Sequence, residues 1–372
     1  MGNVKLPKIS IIVSVYGIEK YIGKCLQSVC GQTYQNLEII AVDDCSPDRS
    51  GNICDEYALT QERLTVIHHE KNYGPSAARN SGMAHATGAY YLFVDGDDWI
   101  DEKLCERAVE CLQQSEKEID TIHWGYQCMN EDGKAVSDPV MPVLYPEKVI
   151  RQPEIFDKFL NTLVVSLDDL YTWFESGKSY YEMVHSKKQM ASVWRYLLSA
   201  KVIEENHLQF PTHIERGEDI VFLFCYLLRC SGIGILSGQS YYYLQRAGSL
   251  MKEEVTIAKK IALIEAMEET VMFAPKEKRD GLRDKWRGQR ILVVMNTARK
   301  LVKTGTFFKG YLDFRQFALH PVNREAVSRI QLKAAPFKYR VAIGLLKFKM
   351  YFLFFFCIFL LDRLHLDMAP ME

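Results

Sequence analysis

Asp95, Gly96, Asp97 and Asp98 are the residues whose types and spacing most directly suggest chemistry. They follow at once on Tyr90, Tyr91, Leu92, Phe93 and Val94, a strand-length run suited to burial on both faces. Three carboxylates on so short a turn repel one another, and burying one of them unpaired costs several kcal/mol. A hard divalent cation such as Mg²⁺ or Mn²⁺ would relieve that repulsion. Such ions take oxygen ligands and share them between one or two carboxylates and a substrate's phosphates. An acidic surface turn, with Asp98 or Asp101 capping the next helix, fits the same residues.

The elements that must position this turn are legible upstream. Ile9 to Val15 reads as a central parallel strand running into Tyr16 and Gly17. Ile18, Tyr21, Ile22, Cys25, Leu26 and Val29 recur at helical spacing, and the helix they imply stops near Gly31. A second strand, Leu37 to Val42, delivers Asp43, Asp44, Cys45 and Ser46. A helix at about Arg49 to Leu59, a strand at Leu64 to His68 and a helix opening near Pro75 complete the series. Strand then helix, repeated at short intervals, predicts a doubly wound α/β sheet with ligands at the carboxyl ends of its strands. That rule gathers Tyr16, Asp43, Asp44, His68, Lys71 and Asp95 on one edge. Between the third and fourth strands lies Asn72 to Gly82, where Gly74 before Pro75 lets backbone approach a ligand closely. Arg79, about one turn into that helix, could reach a phosphate or a base, or pair with one of the acids.

A second acidic element sits far downstream: His213, Ile214, Glu215, Arg216, Gly217, Glu218, Asp219 and Ile220 lead into an apolar helix reaching about Cys230. Acids at a helix start match the helix dipole and need no further role.

Taken together, Val15 with Tyr16, Asp43 with Asp44, Asn72 to Gly82 and Asp95 to Asp98, in that order, resemble the nucleotide-sugar-binding domain of family 2 glycosyltransferases, which have the GT-A fold. The likeness covers roughly the first 125 residues closely. Glu218 and Asp219 are similar to the family's Glu-Asp motif, preceded by Ser192 to Arg195 and followed by Tyr241 to Leu250, in which Tyr243, Arg246 and Ser249 look like its closing strand and loop. The resemblance implies a Rossmann-like, mostly parallel sheet flanked by helices and extended by C-terminal helices. It also implies a metal-dependent, inverting transfer from a nucleotide sugar, most simply a UDP-sugar, to a hydroxyl of a glycan or lipid-linked acceptor in cell-surface polysaccharide synthesis. By carry-over Tyr16 and Glu19 lie beside the base, Asp44 contacts uracil, Arg79 closes the base pocket, Asp95 touches the ribose and Asp97 holds Mn²⁺ or Mg²⁺. Val15, Lys71, Gly74 and Gly96 complete the expected nucleotide-sugar-binding set. Asp219 becomes the general base and Glu218 orients it or the acceptor. Ser14 stands where the family commonly has proline, and Cys45 where it commonly has glycine. The Gln-x-x-Arg-Trp motif of processive members is absent, so transfer of one residue per encounter is expected. A non-catalytic nucleotide-sugar-binding assembly factor is the alternative, and a dinucleotide oxidoreductase is disfavoured because no GxGxxG follows the first strand.

The rest bounds this reading. The 372 residues carry a formal net charge of −1, with a pI of about 6.8, which excludes a nucleic acid held by bulk charge. Ten cysteines show neither CxxC nor zinc spacing, and no signal-like segment precedes the first strand, so reduced thiols in a cytoplasmic setting are expected. The expected division is a nucleotide-sugar core over 1–128 and an acceptor-side part over 129–250. A helical extension follows over 251–335, then a hydrophobic, basic helix over 336–372. The core sheet should continue through Thr121 to Gly125 and a hairpin at Asp132 and Gly133. Asp168, Asp169, Tyr171, Trp173, Phe174, Tyr180 and Tyr181 suit either a sugar surface or a helical packing insert. Val341 to Leu361 is apolar, with Lys338, Arg340, Lys347, Lys349 and Arg363 around or inside it. It reads as a helix lying on an anionic membrane at the inner face of the cell membrane, a buried or partner-binding helix, or a span.

Overall fold

The computed structural model describes residues 6–115, 119–142, 149–164, 166–176, 191–214, 217–246, 256–304, 306–331 and 337–364. Tyr180, Tyr181, Glu215, Arg216 and Ser249 lie outside the described residues, as do the side chains of Trp173, Phe174 and Lys338. The chain forms two compact units, Met1–Asp157 with Ala191–Glu254, and Lys158–Met190 with Val255–Glu372.

The first unit is built on one mixed sheet. Its strands are β1 (Ile9–Val15), β2 (Leu37–Asp43), β3 (Leu64–His68), β4 (Tyr90–Asp95), β5 (Trp99–Ile100), β6 (Thr121–Met129), β7 (Val149–Arg151), β8 (Tyr196–Ser199) and β9 (Gly232–Leu244). They lie in the order β3-β2-β1-β4-β8-β6-β9-β5, with β7 paired to β9. β1 to β4 are mutually parallel, β8 runs antiparallel to β4 and β6, and β9 runs parallel to β6. Helices α1 (Ile22–Cys30), α2 (Ser50–Ala58), α3 (Pro75–His85) and α4 (Leu104–Gln114) accompany it. β1 is buried nearly throughout, as its continuous apolar run requires, and α1 buries Ile22, Cys25, Leu26 and Val29 from one face. The boundary expected at residue 128 falls inside β6. This strand pairs with β8 over Thr121 to His123 and with β9 along its length, so the two expected catalytic parts share one sheet. Beyond it the chain turns at Gly133 and returns to bridge Met129 and Tyr126, as the Asp132–Gly133 pair predicts.

The second unit is helical. The helix Leu167–Ser176 contributes Leu170 to a core shared with Ile264, Ile291, Met295, Phe314 and Phe354. Asp169 accepts hydrogen bonds from Ser166 at the helix start, and the Tyr171 hydroxyl accepts one from the Gln331 amide. Leu170 and Tyr171 therefore pack into the helical core and Asp169 holds the helix start, while Asp168 is exposed. The C-terminal apolar stretch is two helices, Phe337–Lys347 and Tyr351–Arg363, separated at Lys349, whose φ is 62°. Among the described residues no helix is long and apolar enough to cross a membrane, which removes the spanning alternative.

Candidate active site

The register of the parallel strands sets their acidic tips side by side. Val15 pairs with Asp43 and Ser14 with Asp95, while His68 at the end of β3 pairs with Asp43. Backbone amides of Gly17, Ile18 and Glu19 donate to Ser46, Ser50 and Asp48, which fastens the loop after β1 to the loop after β2. Tyr16 on that first loop is left half exposed, and the Glu19 carboxylate accepts the Arg49 amide. Cys45 has a φ of 60°, the left-handed region that favours glycine, and this accounts for the expectation of glycine at its position.

The two neighbouring acids of β2 have different partners. Asp43 Oδ2 meets His68 Nδ1 at 3.0 Å, and His68 Nε2 meets Asp55, so both carboxylates draw the imidazole pKa upward. Asp44 is only 2% exposed, and both of its oxygens are engaged. It accepts the amides of Tyr73 and Gly74 at 2.9 and 2.7 Å and meets His69 Nδ1 at 2.6 Å. Asp44 thus clamps the loop that leads into α3. Lys71, on the same loop, lies over the Tyr73 ring at 5.0 Å.

Arg79, buried on α3, is the hub. Its Nη1 donates to Glu218 and to Asp219, each at 2.9 Å, and its Nη2 donates to Asp95 at 2.9 Å. Of the uses open to it in the sequence, pairing with acids is the one the structure shows. Phe210 supports it, with the guanidinium 5.3 Å from the ring centre, and stacks in turn on Phe222 at 3.9 Å. The Asn80 side chain fixes the Phe210 backbone by donating to its carbonyl and accepting from its amide. Nothing in the sequence signals Phe210, since its role depends on a loop meeting α3 across 130 residues of chain.

Glu218 and Asp219 open the helix Glu218–Leu227, which starts from Gly217 at a φ of 85°, a conformation that suits a residue without Cβ. The Val193 amide donates to Asp219 Oδ2 at 3.3 Å, which gives Ser192 to Arg195 a direct part in holding this carboxylate. Trp194 stacks on Tyr241 at 4.2 Å, and Arg195 is fully buried, donating to the Trp124 carbonyl.

The acidic turn divides its labour. Asp98 is buried and accepts the Tyr241 hydroxyl and the Leu244 amide, both at 2.7 Å, so it ties the turn to β9. It caps no helix; Asp101 instead accepts the Lys103 amide beside the start of α4. The Tyr241 hydroxyl also receives the Asp95 amide. Gly96 has no room for a side chain, because a Cβ there would stand 2.7 Å from the Ser14 carbonyl oxygen. Asp97 pairs with Arg246, Nε to Oδ2 at 2.7 Å, and that guanidinium lies over the Tyr21 ring at 5.4 Å.

Charge in this network does not balance. Asp95, Glu218 and Asp219 share the Arg79 guanidinium and Asp97 pairs with Arg246, while the neighbouring Asp98 is held by Tyr241 and Leu244. Burial and the neighbouring Asp95 push the Asp97 carboxyl pKa up against the pull of Arg246. Burial and Asp97 raise Asp98 well above the usual range. Burial lifts Asp219 to about 7, with Arg79 opposing and Glu218 adding. A surplus of anionic oxygen at Asp95 and Asp97 fits a divalent cation. Among the described residues no three His, Cys, Asp or Glu side chains gather into a metal-binding group, so a cation at Asp97 would need ligands from elsewhere, such as a bound diphosphate.

Comparison with known proteins is consistent with this geometry. Residues 10–164 match the model of Glycosyl transferase family 2. The chain is 31% identical over 245 residues to the uncharacterized glycosyltransferase EpsJ of Bacillus subtilis, covering 66% of this chain and 63% of that protein. It is 30% identical over 196 residues to the putative teichuronic acid biosynthesis glycosyltransferase TuaG of the same organism, covering 52% of this chain and 72% of that one. It thus spans less than two thirds of EpsJ's length. The fold matches S. aureus TarS 1–349 in complex with UDP-GlcNAc, with a TM-score of 0.64, 18 to 20% identity across its liganded forms, and coverage of 96% of this chain and 92% of that one. The mixed, mostly parallel sheet with its flanking and C-terminal helices is therefore of the GT-A type. With the ordered strand-tip acids, the matched family model and this fold in agreement, the chain belongs to glycosyltransferase family 2.

Proposed function

We propose that this protein is a metal-dependent, inverting glycosyltransferase that moves one sugar residue, of hexose type, from a UDP-sugar to a hydroxyl of a glycan or lipid-linked acceptor in cell-surface polysaccharide synthesis. The observation that carries the reading is Arg79, which ties the strand-tip Asp95 to Asp219, a residue 140 positions beyond Arg79 in the chain. One network therefore contains both the acids beside the expected donor and the acid expected to serve the acceptor. The UDP-GlcNAc complex of TarS and the teichuronic acid role in TuaG's name support the donor and pathway class.

The chemistry asks for this arrangement. A sugar hydroxyl is too weak an acid to be deprotonated beforehand, so proton removal accompanies attack on the anomeric carbon and needs a carboxylate at hydrogen-bond reach. Asp219 takes that proton. Arg79 and the Val193 amide hold its two oxygens, and a raised pKa makes it a stronger acceptor than a surface aspartate. Glu218, on the same guanidinium, steadies the arrangement. Tyr16, Glu19 and Lys71 line the nucleotide side with the Asp44-clamped loop, and Val15, Gly74 and Gly96 lend backbone to the donor. Bound by Asp97 and the donor's phosphates, Mn²⁺ or Mg²⁺ would neutralise charge on the departing diphosphate.

The test is UDP release from a panel of UDP-sugars with Mn²⁺. Asp219→Asn should keep UDP binding and lose transfer by at least about a hundredfold. Wild-type turnover in that variant would remove the base assignment, and failure of the wild type to bind any UDP-sugar would remove the reading as a whole.

A further inference from the structure

The second unit carries a surface that the catalytic reading does not use. Phe354, Phe355 and Ile358 of the helix Tyr351–Arg363 are buried against Phe314 and Phe317 of the helix Phe307–Leu319. Apolar side chains also face solvent on both helices, among basic and polar ones, and at the break before the second. Phe308 is 74% exposed, Leu312 61% and Phe348 68%, with Phe352, Phe356 and Leu360 each about 40% exposed. Phe308 and Leu312 are one helical turn apart, as are Phe352, Phe356 and Leu360, so each set forms a stripe. Phe307 joins the stripes, its ring lying 5.6 Å from Phe308, 5.9 Å from Phe352 and 6.1 Å from Phe356. The face is therefore continuous across two helices and includes a segment about 40 residues upstream of the hydrophobic tail. A contiguous aromatic patch of this kind marks an interaction site.

Charge selects the partner. Between residues 306 and 364 the sequence holds ten Lys and Arg against three Asp and Glu, in a chain whose formal net charge is −1. Lys349 follows Phe348 at the break between the two terminal helices, and Arg363 lies against Phe359 at the far end. A second copy of the chain would present the same positive charge and be repelled. An anionic bilayer offers both complements, acyl chains for the rings and headgroups for the lysines and arginines. The helix Tyr351–Arg363 has 13 residues, about 20 Å of helix, which is too short to cross the hydrocarbon layer and suited to lie along it.

We propose that this composite face docks on an anionic lipid surface, with Phe308 and Leu312 entering the interface beside Phe352, Phe356 and Leu360. The inference takes up the membrane-surface alternative left open by the sequence of the C-terminal helix and does not depend on the catalytic reading, since its test requires no transfer activity. The full chain is sedimented with vesicles of phosphatidylcholine alone and of phosphatidylcholine mixed with phosphatidylglycerol. Binding is expected on the mixed vesicles, weakening with salt, and little on the neutral ones. The double substitution F308E/L312E, at two of the most exposed positions, should lower the bound fraction at least about tenfold with an unchanged thermal midpoint. L59E, at an exposed site on the first unit, should leave binding as it was. Absence of wild-type binding to the mixed vesicles overturns the proposal. So does undiminished binding by F308E/L312E, or a concentration-dependent dimer that F308E/L312E abolishes while vesicle binding persists.

Discussion

The sharpest consequence of the Arg79 network is a pair of opposite shifts in the pH dependence of transfer. Asp219 sits at about 7 because burial and Glu218 raise it while Arg79 holds it down. Replacing Arg79 by Gln removes the opposing cation. A counter-charge within a few ångström is worth one to three pKa units, and here one guanidinium is shared by three carboxylates, so a shift of about one unit upward is expected. Replacing Glu218 by Gln removes a like charge and should move Asp219 downward. The assay is UDP release at saturating donor from about pH 5.5 to about pH 9.5, with Asp219→Asn as the blank. In the wild type the rate should climb through a midpoint near 7. In Arg79→Gln the midpoint should approach about 8, leaving about a fifth of the wild-type rate at pH 7 and recovering it at high pH. In Glu218→Gln the midpoint should fall. Breaking a buried ion pair typically costs about 3–5 kcal/mol, so UDP binding by each variant is checked first. Midpoints that stay put, or that move in the same direction in both folded variants, would refute the assignment of Asp219 as the titrating base held by Arg79.

Other expectations follow from the same geometry. Asp219 in the folded chain lies above its ordinary value of 3.8, so between about pH 4 and pH 7 the native state binds more protons than the unfolded one. Its contribution to stability is full below about 4 and is lost as pH rises through about 7; Asp219→Asn should flatten that part of a Tm-against-pH curve, and an unchanged slope would argue against the shift. Arg246→Gln releases the Asp97 carboxylate from a 2.7 Å ion pair worth about 1–1.5 kcal/mol, so Mn²⁺ in the presence of saturating UDP should bind about five- to tenfold tighter by calorimetry. Weaker binding would instead make Arg246 a support for the site. Gly96→Ala forces a methyl to 2.5 Å from Ile18 Cδ1 and 2.7 Å from the Ser14 carbonyl, and should cost about 1–3 kcal/mol in a denaturant melt. Tyr241→Phe deprives buried Asp98 of one donor and the Asp95 amide of its acceptor, with an expected loss of about 1–3 kcal/mol; an unchanged denaturation midpoint would show the clamp to be dispensable.

The fold and the family were readable because their signals are local. Runs such as Ile9–Val15 and Tyr90–Val94 are long enough to be buried strands, α1 shows its apolar face at fixed spacing, and the parallel βα rhythm leaves few ways to order the strands. The same rhythm placed Asp43, Asp44 and Asp95 at strand ends, since side chains at the tips of parallel neighbours must converge. What each acid touches was not readable. Asp97 and Asp98 are adjacent and alike in sequence, yet one meets Arg246 and the other is walled in by Tyr241 and Leu244, because β9 arrives from more than 140 residues away. Asp44 carries no mark that it clamps Tyr73 and Gly74. Nor does the tail from Val341 to Leu361 show that it breaks at Lys349, whose φ of 62° separates the helices Phe337–Lys347 and Tyr351–Arg363. Composition and spacing by themselves determined which elements form and which residues stand at their ends, since both depend on a chain segment and its own periodicity. The pairing of Arg79 with three carboxylates from distant segments was decided by tertiary structure alone, because burial makes each charge seek whichever opposite charge the folded chain brings within hydrogen-bond distance.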